Sequence, residues 1–120
     1  MDAEVRNMCQ RNELNDIISK VIHIYRTIYG ENIVEIRLYG SYARGNENQD
    51  SDIDIVAIVR GERLKLQEQL TEVWNQTDDI SLEYETIISP TVIPYDEFQK
   101  WKEDLPYYRN IEKEGIRVAG

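Results

Sequence analysis

Hydrophobic residues recur every three to four positions in the N-terminal part of the chain. From Leu14 to Tyr29 the apolar side chains fall on one face of a helix, which predicts that this face is buried. The positions are Leu14, Ile17, Ile18, Val21, Ile22, Tyr25, Ile28 and Tyr29. Gly30 follows them, and a glycine at this place is typical of a left-handed helix end. The pattern predicts a first helix that ends at Gly30.

The hydrophobic pattern then changes to the alternation that is typical of β-strands. Ile33–Tyr39 is rich in β-branched and aromatic residues and predicts a first strand. Its alternation assigns Ile33, Glu35, Arg37 and Tyr39 to one face and Val34, Ile36 and Leu38 to the other. A polar turn region at Gly40–Asp50 leads to a second strand at Ser51–Val59. The later part of that strand is apolar on both faces, which predicts a central position in its sheet.

The remaining chain predicts one more strand and several helices. A second amphipathic helix is expected at Glu62–Gln76 and a third strand at Ile80–Ile88, after which Pro90 and Pro94 interrupt strand pairing. Short helices are expected at Tyr95–Glu103 and from Pro106 to Gly115, with a little strand at Ile116–Val118. The order of elements predicts an α/β (α+β) fold, a small mixed β-sheet with flanking helices. With 120 residues, 1–120 is expected to form a single domain.

Composition and charge exclude several classes of function. The 14 basic and 23 acidic residues give a net charge of -9, which would repel a phosphate backbone, so nonspecific nucleic-acid binding is not expected. No apolar run is long enough for a membrane span, and no secretory signal is found, so the expected compartment is the cytoplasm. Cys9 is the only cysteine and His23 the only histidine, which excludes an intramolecular disulfide and a Cys/His zinc site.

Two aspartates at the start of the second strand are the strongest indication of chemistry. Asp52 and Asp54 are two residues apart, so in a strand their carboxylates point to the same face. At about 4 Å their repulsion would reach roughly 4 kcal/mol even at an effective dielectric constant near 20. A positive partner is therefore expected, and Mg²⁺ commonly binds one or two carboxylates together with substrate phosphates.

A candidate phosphate-binding segment lies at the end of the first strand. Gly40 allows close approach of the backbone, Ser41 adds a hydroxyl, and Arg44 lies one helical turn further on. Arg44 could equally form a surface ion pair. The phosphate segment and the acid pair together could hold a nucleoside triphosphate through its metal ions.

Gly40-Ser41, ten residues, and then Asp52-Ile53-Asp54 resemble the signature of the polymerase-beta-like nucleotidyltransferase superfamily, specifically its minimal single-domain members. The resemblance implies that Asp52 and Asp54 bind Mg²⁺, with two ions expected and Mn²⁺ as an alternative. It implies transfer of a nucleoside monophosphate from a triphosphate, with ATP favoured, and release of pyrophosphate. It also implies a third acid on an adjacent strand; both Glu83 and Glu85 fall on the predicted third strand, and Glu85 is favoured because of the run that follows it.

The acceptor of the transferred group is not indicated by any residue. In bacteria, minimal proteins of the resembled type are often paired with a small helical HEPN-type protein and act as antitoxins by nucleotidylating it. The alternative hypothesis is a non-catalytic nucleotide-binding or contact antitoxin module. Several aromatic residues leave two interpretations open: Tyr42 could cover the pocket or pack, Tyr107 and Tyr108 could line a substrate groove or join the core, and Trp74 and Trp101 are core candidates.

Overall fold

The computed structural model describes residues 3–45, 47 and 51–120. The helices are α1 (Ala3–Tyr29), α2 (Ser41–Arg44), α3 (Arg63–Tyr84), α4 (Tyr95–Trp101) and α5 (Pro106–Glu114), with a 3₁₀ helix at Gly30–Asn32. The strands are β1 (Ile33–Tyr39), β2 (Ile53–Val59), β3 (Ile88–Pro94) and β4 (Ile116–Ala119). The predicted turn region is described only at residues 40–45 and 47, because residues 46 and 48–50 lie outside the described part.

The four strands form one mixed sheet in the order β3-β2-β1-β4. β1 runs antiparallel to both β2 and β4, whereas β2 and β3 are parallel. A parallel pair requires a crossover, and α3 provides it. β2 lies inside the sheet, as its apolar sequence predicts, and the mixed sheet with flanking helices confirms the predicted fold class.

The sheet is covered on both faces, so the protein has two apolar layers. The larger layer packs α1 and α3 against one face, where Tyr25, Val21 and Val73 are fully buried. The smaller layer packs α4 and α5 against the other face through Phe98 and Ile111, which contact Val56, Ile58 and Ile93 of the sheet. Asp54 and Val56 share a strand face, so the acid pair opens on the side of α4 and α5.

The first predicted helix is correct at its C-terminal end. Gly30 has φ 61°, the left-handed conformation expected there, and His23 lies exposed on the helix surface. In β1 the alternation holds from Glu35 onward. A register shift between Ile33 and Glu35 reverses the first two positions: Ile33 packs with the α1/α3 layer and Val34 with the α4/α5 layer.

The prediction of a third strand at Ile80–Ile88 is wrong. α3 continues to Tyr84 because Thr77 and Ile80 extend the buried helical face of Leu70 and Val73. β3 begins only at Ile88 and includes both prolines that were expected to interrupt pairing. β3 is an edge strand, paired with β2 alone, where prolines are tolerated because one side of the strand makes no ladder.

The two tryptophans are not core residues, contrary to the sequence prediction. Trp74 is 47% exposed and Trp101 is 38% exposed. The Trp74 indole Nε1 donates a hydrogen bond to the Pro90 carbonyl at 2.9 Å, so its polar end fixes it against the edge of β3. Tyr42 packs against the α1/α3 layer and Tyr108 against the α4/α5 layer, as their packing interpretations predict.

Tyr25 ties α1 to the two strands that adjoin the acid pair. Its buried hydroxyl lies 2.8 Å from the Thr91 carbonyl oxygen and 3.2 Å from that of Ile55. We expect Tyr25→Phe to lower the free energy of unfolding by about 1 kcal/mol, the usual net value of such a bond. Urea denaturation monitored by circular dichroism measures the change, and an unaltered midpoint would show that this hydroxyl contributes nothing to the fold.

In the part of the chain that the structure describes, no helix combines the length and apolar character needed to cross a membrane.

Candidate functional site

The two aspartates lie where β2 begins, beside the end of β1. Asp54 is paired with Tyr39, the last residue of β1, and Asp52 immediately precedes β2. Gly40 follows Tyr39 and therefore lies next to the Asp54 carboxylate. The antiparallel β1–β2 pair thus brings together the two halves of the sequence motif, which are separated along the chain by the turn region.

Gly40 is required at this position for two independent reasons. Its φ of 76° is in the left-handed region that disfavours any side chain. A Cβ atom added there would collide with Asp54 Oδ2 and lie 3.4 Å from its Cγ. The glycine therefore gives the Asp54 carboxylate its space.

The environment of Asp54 disfavours its charge. Partial burial raises the pKa of the Asp54 carboxyl above its ordinary value, and the nearby Asp52 carboxylate raises it further. The Arg44 guanidinium lowers the pKa of Asp54 and offsets part of this effect. The charged form of Asp54 is therefore disfavoured, and a bound cation would stabilise it.

Arg44 is placed near the acid pair by the short helix α2, which begins directly after Gly40. Its Nη1 lies 3.6 Å from Glu114 Oε2, and both side chains are 43% exposed. The ion-pair interpretation of Arg44 is therefore correct for this structure. The same guanidinium lowers the pKa of the Asp54 carboxyl, so Arg44 lies within electrostatic reach of that side chain.

A cavity of about 120 Å³ opens beside Asp54 on the α4/α5 side of the sheet. It is lined by Tyr39, Asp54, Ile55, Val56, Ser89, Thr91 and Tyr107. The rings of Tyr39 and Tyr107 meet edge to face, with their centroids 5.9 Å apart. Tyr107 is 45% exposed. The groove interpretation of Tyr107 therefore fits the structure better than the core interpretation.

The strand next to the acid pair carries hydroxyls where the resemblance implies a third carboxylate. Asp54 is paired with Ser89, and Val56 with Thr91, so both hydroxyl residues share the face of Asp54. Placing Glu83 and Glu85 on the third strand is wrong. Glu83 is in the last turn of α3, with its Oε2 3.4 Å from Lys20 Nζ, and Glu85 is the exposed left-handed residue that ends α3.

The donor set of the site suits a cation that is shared with a ligand. Within residues 3–45, 47 and 51–120, no three His, Cys, Asp or Glu side chains converge in a way that could hold a metal ion. Asp52 and Asp54 supply two carboxylates, and Mg²⁺ accepts such a pair when phosphate oxygens complete its shell. The residues fit Mg²⁺ in the presence of a nucleotide better than Mg²⁺ alone.

Arg37 fixes the helix that carries Tyr107. Its Nη1 donates to the carbonyl oxygens of Ile111 and Glu112, at 3.1 and 3.2 Å, near the C-terminal end of α5. Its Nε also forms a short ion pair of 2.5 Å with Glu35 of the same strand. These contacts hold the C-terminal end of α5 against β1 and so help to orient the helix whose first turn carries Tyr107.

The sequence and the fold match known proteins over most of the chain. Residues 18–118 match the model of the nucleotidyltransferase domain family. A relative in Methanocaldococcus jannaschii, provisionally named protein adenylyltransferase MJ0141, is 30% identical over 81 residues, which are 67% of this chain and 79% of the relative.

Two solved structures share the architecture. One is a toxin-antitoxin with AMP-PNP, at 16% identity, and the other is a mutant of the toxin-antitoxin MntA-HpeT, at 14% identity. Each has a TM-score of 0.53, and the match covers 85% of this chain and 72% of the other chain. At such low identity these structures show the fold alone. On the match over residues 18–118, this chain belongs to the nucleotidyltransferase domain family.

Proposed function

We propose that this protein transfers a nucleoside monophosphate from a nucleoside triphosphate, with ATP as the favoured donor, to a hydroxyl group, and that the reaction depends on Mg²⁺. The observation that carries the proposal is the placement of the Asp54 carboxylate against Gly40, with Asp52 two residues before it, in a chain of this family. Two neighbouring carboxylates are disfavoured by their mutual repulsion unless a cation binds them, and Mg²⁺ held by such a pair commonly also binds substrate phosphates.

Asp52 and Asp54 would hold the cation, with two ions expected and Mn²⁺ as an alternative. When bound, Mg²⁺ supplies charge neutralisation at the phosphates and at the pyrophosphate leaving group. Gly40 would place the backbone next to a phosphate held at Asp54, and the Ser41 hydroxyl would offer it a polar contact. Arg44 can exchange its exposed partner Glu114 for a phosphate oxygen, since an ion pair with both side chains 43% exposed is weak.

The acceptor is proposed to be a hydroxyl on a protein. The relative from Methanocaldococcus jannaschii is named for protein adenylylation. Two structures with the same fold are described as toxin-antitoxin assemblies, one of them with AMP-PNP. These names support a nucleotide donor and a protein partner. The finer proposal, from the family resemblance, is a small helical HEPN-type partner for which this protein is the antitoxin.

Incubation with each labelled triphosphate, Mg²⁺ and a candidate helical partner tests the proposal. We expect label on the partner with ATP and none when Mg²⁺ is removed by a chelator. Mass spectrometry of the labelled protein identifies the acceptor residue. Absence of label on any protein, with all four triphosphates and a range of partners, would contradict nucleotidyl transfer.

A non-catalytic module is the second candidate, and one observation favours it. The β3 positions beside Asp54 are Ser89 and Thr91, so this strand offers no carboxylate to deprotonate an acceptor. A binding module would take up Mg²⁺ and a nucleotide without releasing pyrophosphate. Calorimetric binding of Mg²⁺-ATP combined with a negative pyrophosphate assay would favour this candidate over the enzyme.

The structure changes the expected result for the two glutamates. Because Glu85 ends α3 and lies exposed to solvent, we expect Glu85→Gln to leave the transfer rate near that of the wild-type protein. Glu83→Gln is the matched control, since Glu83 contacts Lys20 of α1. Radiolabel transfer measures both rates. A fall of about a hundredfold for Glu85→Gln alone, the lower range for losing a general base, would restore Glu85 as the third acid.

A further inference from the structure

Tyr107 places a phenolic hydroxyl inside the cavity that contains Asp54. The residue lies in the first turn of α5, directly after Pro106, and its ring meets the Tyr39 ring edge to face at 5.9 Å. Burial raises the pKa of the Tyr107 hydroxyl, and the Thr91 side chain, which lines the same cavity, offsets part of this effect. The cavity is therefore bordered on one side by an Asp54 carboxylate and on another by a tyrosine oxygen.

The neighbouring tyrosine shows that this placement is specific to Tyr107. Tyr108 is partly buried in the α4/α5 layer, where its ring packs against Phe98 and its hydroxyl donates to Glu97 Oε2 at 3.3 Å. Tyr107 instead keeps 45% of its surface exposed, in a helix otherwise anchored by the fully buried Ile111. Ile111 therefore anchors α5 in the core, whereas Tyr107 remains accessible at the cavity.

We propose that Tyr107 is a self-modification site, at which the protein transfers a nucleoside monophosphate from its own bound triphosphate to the Tyr107 oxygen. This inference rests on the proposed function. The phenolic oxygen forms a bond to the α-phosphorus, the bond from that phosphorus to the bridging oxygen of the β-phosphate breaks, and pyrophosphate leaves. The phenolic proton passes to solvent water, which reaches the side chain because Tyr107 is 45% exposed.

Modification within one molecule follows from the position of Tyr107. Asp54 and Tyr107 of the same chain line one cavity of about 120 Å³, so the acceptor lies near the carboxylate without any second protein. An acceptor held in place needs no encounter step and has a high effective concentration. The modified tyrosine would carry a nucleotide into the mouth of the cavity and block a second acceptor, so self-modification would also inactivate the enzyme toward a partner.

Incubation of the purified full chain with Mg²⁺-ATP, followed by peptide mass spectrometry, tests the inference. We expect one nucleoside monophosphate on the peptide that contains Tyr107, at an initial rate per molecule that does not change with protein concentration. Tyr107→Phe should remove this label. Tyr108→Phe is the matched control and should retain it, because the Tyr108 hydroxyl points to Glu97.

A mixing experiment tests transfer within one molecule. Tyr107→Phe retains the acid pair but lacks the acceptor, whereas Asp52→Asn retains the acceptor but lacks one acid. We expect no label on the Asp52→Asn chain when the two variants are mixed with Mg²⁺-ATP. Label on that chain would show transfer between molecules and overturn the inference as stated.

The remaining outcomes separate the inference from the proposed function. Label on a partner or on another residue, with none at Tyr107, overturns the inference while the proposed function stands. Absence of any label while Mg²⁺-ATP stabilises the wild-type protein, and not Asp52→Asn, also overturns the inference and favours the binding module. Absence of both label and Asp52-dependent binding overturns the proposed function together with the inference.

Discussion

Asp52→Asn is expected to reduce nucleotidyl transfer by about a thousandfold. The substitution keeps the size of the side chain but removes one of two charges that would hold Mg²⁺, and the charge stabilisation supplied by a catalytic metal is worth several kcal/mol, of which about 4 kcal/mol corresponds to this factor. The same variant should lose the stabilisation by Mg²⁺-ATP, which for the wild-type protein is about 1.4 kcal/mol at ten times the dissociation constant. Radiolabel transfer and thermal unfolding measure the two effects.

Without ligand, the stability of the Asp52→Asn protein should not fall below that of the wild type. The charge of Asp52 raises the pKa of Asp54, so removing that charge relieves repulsion and leaves the ligand-free protein as stable as the wild type, or more stable. Asp78→Asn on the exposed surface of α3 is the matched control for loss of one negative charge. A full response to Mg²⁺-ATP in Asp52→Asn would contradict the assignment of the metal site.

Gly40→Val should weaken nucleotide binding by more than about a hundredfold. Backbone strain at φ 76° costs roughly 1–3 kcal/mol, and the new side chain would also displace the Asp54 carboxylate from its place beside Gly40. Ser41→Ala removes a single hydroxyl and should cost about 1.5 kcal/mol, roughly a tenfold loss of affinity. Isothermal titration calorimetry with Mg²⁺-ATP measures both constants.

Gly45 provides the control for backbone strain. Its φ of 75° nearly equals that of Gly40, but a Cβ atom there would have nothing within 4 Å. Gly45→Val places the same side chain at a positive φ without touching Asp54, although its ψ of 18° imposes less strain than the ψ of -149° at Gly40, and we expect it to retain most of its nucleotide affinity. Equal losses for the two glycine variants would show that the collision with Asp54 is unimportant and that the nucleotide binds elsewhere.

The sequence predicts the β1–β2 half of the protein well because its hydrophobic pattern and its turn residues agree. Ile33–Tyr39 is a strand with the predicted bounds, and the second strand differs only in starting at Ile53. The error lies between Ile80 and Pro94, where alternate residues look like a strand but the helical period of Val73, Thr77 and Ile80 continues. Tertiary burial of that period, rather than local alternation, determines the structure.

The candidate site could likewise be predicted from the sequence only in part. Gly40, Asp52 and Asp54 are brought together by the pairing of consecutive strands, so their spacing in the sequence was informative. The third acid was misplaced because it depended on the wrong third strand. The sequence left a groove interpretation and a core interpretation of Tyr107 open, because its exposure depends on how α5 packs on the sheet, to which Arg37 of β1 contributes.

The prolines of β3 restrict strand addition at the edge of the sheet beside Asp54. Pro90 and Pro94 have no amide donors on this edge strand, and the Pro90 carbonyl already accepts a hydrogen bond from Trp74. A strand added at this edge would lack hydrogen-bond donors at both prolines and would meet a Pro90 carbonyl that is already bonded. It could not form a continuous ladder of backbone hydrogen bonds with β3. A protein that reaches the site from this edge must be recognised through its side chains, so its specificity would be altered by surface substitutions rather than by changes in strand pairing.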